Sequence, residues 1–155
     1  MTIKRLCTAT LLVGIASVTA LAQSSDPLIG DWKLNVEKSK ATGFQSGATK
    51  IEATGDSVKF TVDLAGTDGT KHHWSFTAKY DGKDYPVTGN TPYGNVVALT
   101  RVDARTIRVT TKQDGKVTVN QTIAVSADGK TRTTTTKGTN VKGQAVDSVS
   151  FYEKQ

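Results

Sequence analysis

Cysteine is nearly absent from this 155-residue chain: the single one is Cys7. It stands at the start of an apolar run and not just after one, so it does not read as a lipid-attachment site. The remainder of the chain cannot form a disulfide and must fold by packing and strand pairing alone. Long apolar stretches are equally scarce. The run from Leu6 to Thr19 is shorter than the ~20 residues that span a bilayer, and it gives way to the polar Gln23-Ser24-Ser25-Asp26. No dense run of Lys or Arg is present. Basic residues alternate with acidic ones, the pattern of a solvated surface and not of a nucleic-acid footprint. No segment carries a sustained helical stripe, a heptad or a Gly/Ser linker.

Catalytic motifs are missing too. There is no Gly-x-Ser-x-Gly elbow, no cysteine nucleophile beyond Cys7, no His-Glu-x-x-His pair and no phosphate-cradling loop. His72 and His73 are adjacent, so on a strand they face opposite sides and cannot chelate one ion. No Cys or Asp/Glu cluster adds ligands at useful spacing. The sequence therefore gives no argument for an enzyme, a metal or another cofactor.

What the N-terminus does contain is the grammar of export. Lys4 and Arg5 open it, the apolar run follows, and Ala20-Leu21-Ala22 fits the small-x-small cleavage rule. Residues 1–22 read as a cleavable signal peptide, with the mature chain starting at Gln23 and destined for the periplasm or beyond. Removing 22 of the 155 residues leaves 133, the size of one domain. Such a chain buries about two-thirds of its surface without metal or disulfide staples. The formal charge of +6 loses Lys4 and Arg5 and becomes +4. A soluble monomer is expected, with no membrane span in residues 23–155.

The mature region is rich in Thr and Val and punctuated by Asp-Gly. Asp68-Gly69, Asp81-Gly82, Asp114-Gly115 and Asp128-Gly129 each lie between alternating segments, and Asp-Gly supplies the positive φ angles of tight hairpins. Period-2 alternation predicts about ten strands: 29–35, 49–54, 57–64, 71–80, 83–88, 95–102, 106–113, 116–125, 130–137 and 145–153. The fold class is all-β, an antiparallel up-and-down meander of about 8–10 strands. Its exposed edges require it to close or fold over.

The alternation also selects an inner face. Val58, Phe60, Val62 and Leu64 oppose Lys59, Thr61 and Asp63, and His72, Trp74, Phe76, Ala78 and Tyr80 oppose His73, Ser75, Thr77 and Lys79. Thr131–Thr136 breaks the rule, with no large apolar residue on either face. Buried hydroxyls need partners, so this strand lines a polar interior or sits at a poorly packed edge.

Gly30-Asp31-Trp32-Lys33-Leu34, at the start of the first mature strand, resembles the opening Gly-x-Trp of the calycins, the superfamily of lipocalins and fatty-acid-binding proteins. The resemblance implies a lipocalin-like barrel in which Gly30 and Trp32 are structural, Trp32 closing one end. The chain departs from those families in three places. Val36–Gly47 is too short for a helical lid, Ser150-Phe151-Tyr152 replaces the Arg-x-Tyr carboxylate clamp, and no helix follows the last strand. Lys154 is the nearby candidate for the basic side chain that many members stack on the Trp. Asp81–Val87 and the ending Tyr152-Glu153-Lys154-Gln155 also look like small exported bacterial proteins without an assigned activity.

Two functional expectations follow. In the first, the barrel binds a small, apolar or amphipathic molecule against Trp74, Phe76 and Tyr80, with His72 and Arg132 as orienting polar groups. Core packing alone produces the same aromatic row, and an Arg on a strand more often faces water. In the second, the domain is a non-enzymatic structural or protein-interaction module of the cell envelope, its core filled by side chains. The loop Gly89–Gly94 has the character of a rim that could flank a mouth.

Overall fold

The computed structural model describes residues 25–155; the signal segment, its cleavage after Ala22 and Cys7 lie outside the described residues. Eleven strands follow one another: β1 (Gly30–Lys40), β2 (Phe44–Thr54), β3 (Ser57–Gly66), β4 (Lys71–Ala78), β5 (Asp81–Pro86), β6 (Thr88–Asn90), β7 (Val96–Arg101), β8 (Thr106–Gln113), β9 (Lys116–Val125), β10 (Thr131–Thr139) and β11 (Ala145–Lys154). All pair antiparallel in a single sheet of order β5-β7-β8-β9-β10-β11-β1-β2-β3-β4-β6. The stretch from Asp81 to Asn90 stitches the two ends of that sheet. Its first part pairs with β7, and beyond Val87 its second part pairs with β4. The meander thereby curls into a nearly closed barrel and leaves little free edge.

The all-β meander expected from alternation is what forms, with differences at three places. Val36–Gly47 is not a bare connection: β1 runs to Lys40 and β2 begins at Phe44. Alternation misses this because the register against β11 shifts between Asn35 and Lys40. There Ser39 donates its hydroxyl to the Asn35 carbonyl at 2.6 Å and accepts from the Phe151 N–H at 2.9 Å. Asp81-Gly82 is not a hairpin turn either. It lies inside β5, where the register against β7 shifts between Asp81 and Asp84, and Gly82 (φ 73°) takes the left-handed conformation of a bulge. The same conformational freedom serves a bulge instead of a turn, so β4 ends at Ala78 and Tyr80 falls beyond it. Finally, the strand expected at 83–88 is two strands, because the chain changes partner at Val87. Asp114-Gly115, by contrast, forms the expected two-residue turn between Gln113 and Lys116.

One end of the barrel is plugged. Trp32 is 1% exposed and donates its indole N–H to the Leu28 carbonyl at 2.8 Å, with Leu28 fully buried beneath it. The Lys154 ammonium lies 4.9 Å from the Trp32 ring and donates to the Pro27 carbonyl at 3.2 Å. Gly30 (φ 137°) permits this approach, since a Cβ there would stand 2.6 Å from Lys154 Cε. Just outside, Asp26 accepts from the Tyr80 hydroxyl at 2.7 Å and pairs with Arg101, whose guanidinium lies 4.0 Å from the Tyr80 ring. Burial alone would raise the Asp26 carboxyl; hydrogen bonds from Arg101, Tyr80 and the Leu28 N–H outweigh it and hold the group below the usual range.

Candidate functional site

Inside the barrel, above the Trp32 plug, lies a cavity of about 60 Å3. Its wall has two characters. Phe60, Val62 and Leu64 of β3, Trp74 and Phe76 of β4 and Val109 of β8 form an apolar side, with Phe60 and Phe76 stacked at 4.8 Å. Thr49 of β2, Gln121 of β9, Arg132, Thr134 and Thr136 of β10, and Ser150 and Tyr152 of β11 form a polar side.

The Thr-rich strand is what makes the second side. β10 is paired along its length with β9 and with β11, so it is no edge. Branched β-carbons suit its extended backbone. Alternation turns Arg132, Thr134 and Thr136 inward, where all three are buried. Gln121, which interrupts the apolar face of β9, donates to the Thr136 hydroxyl at 3.1 Å.

Arg132 is the outstanding group. It is 3% exposed, yet no carboxylate pairs with it among the described residues, and no Asp or Glu is among the buried polar residues. Its hydrogen bond is from Nη2 to Thr49 Oγ1 at 3.2 Å, and its Nε–H is buried without an acceptor. The guanidinium lies 4.1 Å from the Tyr152 ring centroid and 5.4 Å from that of Trp32. These cation–π contacts offset only part of the desolvation cost, which for a buried ion is several kcal/mol. Burial pushes the Arg132 guanidinium down to about 10, so it stays protonated at neutral pH. Burial likewise raises the Tyr152 hydroxyl above its ordinary value.

The end of the barrel opposite Trp32 is open to a depression of about 610 Å3, framed by Ala41–Gly43, Gly66–Thr70, Asn90–Tyr93 and Asn140–Ala145. Phe44 and Tyr93 line both this mouth and the inner cavity, so they stand between the two spaces. Tyr93 meets Trp74 edge-on at 6.4 Å, and burial raises its hydroxyl. Its loop is tied down: the Thr118 hydroxyl donates to the Tyr93 carbonyl at 2.5 Å, and the Val141 N–H donates to the Pro92 carbonyl at 3.0 Å.

Of the residues expected at a ligand site, the structure brings Trp74, Phe76 and Arg132 to the inner cavity. His72 sits instead at the mouth, edge-on to Phe44 at 6.1 Å, with a buried and unpartnered Nδ1. His73 is on the outer face, 2.6 Å from Asp63. Tyr80 does not continue the row, because β4 ends before it and its hydroxyl is committed to Asp26 at the plugged end. Gly30 and Trp32 occupy that same end. Alternation marks Gln121 only as an interruption of an apolar face, and it does not single out Phe44 or Tyr152. Tyr152 carried a usable signal, since it alternates with Ser150 and Ser148 on β11. Phe44 carried none, as the register shift that positions it is invisible to alternation. No family model matches the chain, and no curated protein is similar to it in sequence.

Proposed function

We propose that this chain is an exported, lipocalin-like barrel protein that binds a small, partly apolar molecule through the open end of the barrel. The observation that carries the reading is Arg132: a buried cation without a counter-ion on the wall of an internal cavity. Natural cores rarely keep such a group unless it meets something. In this reading Trp74 and Phe76 pack against the apolar part of the ligand, Arg132 orients its polar part, and His72 lies beside the approach. Trp32, Gly30 and Lys154 hold the far end shut. Tyr80 has no contact with the ligand.

Tryptophan fluorescence with native mass spectrometry tests this directly. Trp32 and Trp74 are the two tryptophans, so a Trp32→Phe variant reports from Trp74 alone. Saturable change in that signal, matched by a bound mass, is expected when small amphipathic molecules are titrated. A flat response across lipids, aromatic acids and short acids overturns the reading.

One observation favours the second reading, a structural or interaction module of the envelope. The inner cavity, about 60 Å3, is well below the ~300–1,000 Å3 of ordinary ligand pockets. That reading expects a filled core, no bound small molecule, and recovery of one defined protein partner by cross-linking in the periplasm.

A further inference from the structure

The size of the cavity and the charge on its wall together restrict what the interior can take. We infer that the inner cavity is a site for a compact monocarboxylate, a carboxyl group on a very short carbon chain, held as the counter-ion of Arg132. This rests on the reading that the barrel interior is the binding site, and it names the class of molecule bound there.

Three features lead to that class. The first is charge. Arg132 is the one buried cation of the described core, and the polar groups that line the cavity with it are neutral: the hydroxyl, amide and phenol groups of Thr49, Gln121, Thr134, Thr136, Ser150 and Tyr152. A single negative charge neutralises the site. Phosphate as its dianion brings two, and the excess would stay buried and uncompensated.

The second is geometry. The guanidinium is a planar fork suited to the two oxygens of a carboxylate. One of its N–H groups is engaged by Thr49, and Nε–H has no acceptor in the protein. A carboxylate in the cavity supplies the guanidinium with an anionic acceptor, and its remaining lone pairs meet the hydroxyls of the polar wall.

The third is room. The inner cavity, about 60 Å3, is smaller than the ~150 Å3 space that admits benzene in an engineered protein core. Leu64, Val109 and the stacked Phe60–Phe76 pair fill the apolar side, and Phe44 and Tyr93 narrow the throat. An acetate-sized molecule fits within this limit. A long acyl chain does not, unless the throat residues and the core both move. Water alone in the same space would leave the charge unbalanced.

The test uses the mature chain and a matched set of small molecules: acetate, propionate and butyrate, the neutral acetamide, phosphate, and decanoate. Side-chain NMR of the arginine Nε–H groups follows Arg132, and Trp74 fluorescence in the Trp32→Phe variant follows the wall. Acetate to butyrate are expected to shift the Arg132 Nε–H resonance saturably, with acetamide and phosphate inert. Arg132→Met, with folding confirmed by its thermal transition, is expected to weaken acetate binding at least ~10-fold, the loss of a charge-assisted hydrogen bond. Thr134→Leu keeps the charge but occupies the cavity, and is expected to lose acetate binding as well; it serves where Arg132→Met fails to fold. Decanoate or acetamide binding as tightly as acetate, with Arg132→Met indifferent, overturns the monocarboxylate assignment and leaves interior binding standing. No response to any of the six overturns the monocarboxylate assignment, and a flat response to lipids and aromatic acids as well overturns interior binding.

Discussion

The interior of this barrel has two sides that solve the same packing problem differently. β3 and β4, joined by Val109 of β8, bury Phe60, Val62, Leu64, Trp74 and Phe76, side chains that need only close contact. β10 and β11, with Gln121 of β9 and Thr49 of β2, bury hydroxyls, an amide and a guanidinium, groups that need partners and find few. The backbone is equally well paired on both sides, so strand formation does not depend on which kind of side chain points inward. Stability comes from the first side. The second is where stability has been given up, and in natural proteins such places are commonly the functional ones.

The largest expected effect sharpens the apolar side. Phe60→Ala removes a buried ring from the stack with Phe76 and is expected to lower unfolding free energy by ~3–5 kcal/mol. Chemical denaturation measures it. A loss under about 1.5 kcal/mol would mean that the stacked pair is not the anchor of the core.

Arg132→Met should do the opposite. Replacing a buried ion by an apolar side chain of similar length removes the desolvation cost; for buried ion pairs such exchanges stabilise by about 1–4 kcal/mol, and an unpaired ion has no Coulombic partner to lose. A gain in stability together with a loss of ligand response marks Arg132 as a functional charge. A loss in stability would instead mean that the contacts with Tyr152 and Trp32 make it a structural one, and would favour the filled-core reading.

A second arginine gives the contrast in miniature. Arg101 is paired with Asp26 at the plugged end, so here the charge contributes to stability. The Asp26 carboxyl is held below its usual range, so its contribution is fully present above the unfolded value of about 3.9 and is lost as pH falls through the lower folded value. Asp26→Asn is expected to cost roughly 1–2 kcal/mol at neutral pH, the scale of a hydrogen bond to a charged group. It should also flatten the decline of stability in acid below about pH 4. An unchanged acid profile would remove Asp26 from the list of groups that tie the N-terminal segment to the barrel.

Much of this contrast was legible in the sequence. Strict alternation placed Phe60, Val62, Trp74 and Phe76 on one inner face, and Gly30-x-Trp32 marked the plugged end. Thr131–Thr136 stood out as a strand without an apolar face, but its location could not be read from its own residues. Edge or interior depends on which strands lie on either side, a long-range property that pairing with β9 and β11 decides. Phe44 and Tyr80 failed for a related reason. A register shift between Phe44 and Ser46 in the β2–β3 pairing and a bulge in β5 change which residues point where, and neither leaves a mark in period-2 alternation.

The smallest expected effect probes the polar side most finely. Thr134 is buried on the cavity wall, and Thr134→Val keeps its shape while removing the hydroxyl. If that hydroxyl is idle in the unliganded protein, Val leaves stability unchanged or raises it by a few tenths of a kcal/mol, since a buried polar group with little compensation is a cost. If the hydroxyl belongs to a satisfied network of protein and internal water, the substitution strands its partners and costs about 1–3 kcal/mol. Thermal and urea denaturation of the variant separate the two. The first outcome describes a wall prepared for a ligand that is not always there. The second describes a hydrated core in which β10 and β11 are as complete, in their own chemistry, as β3 and β4 are in theirs.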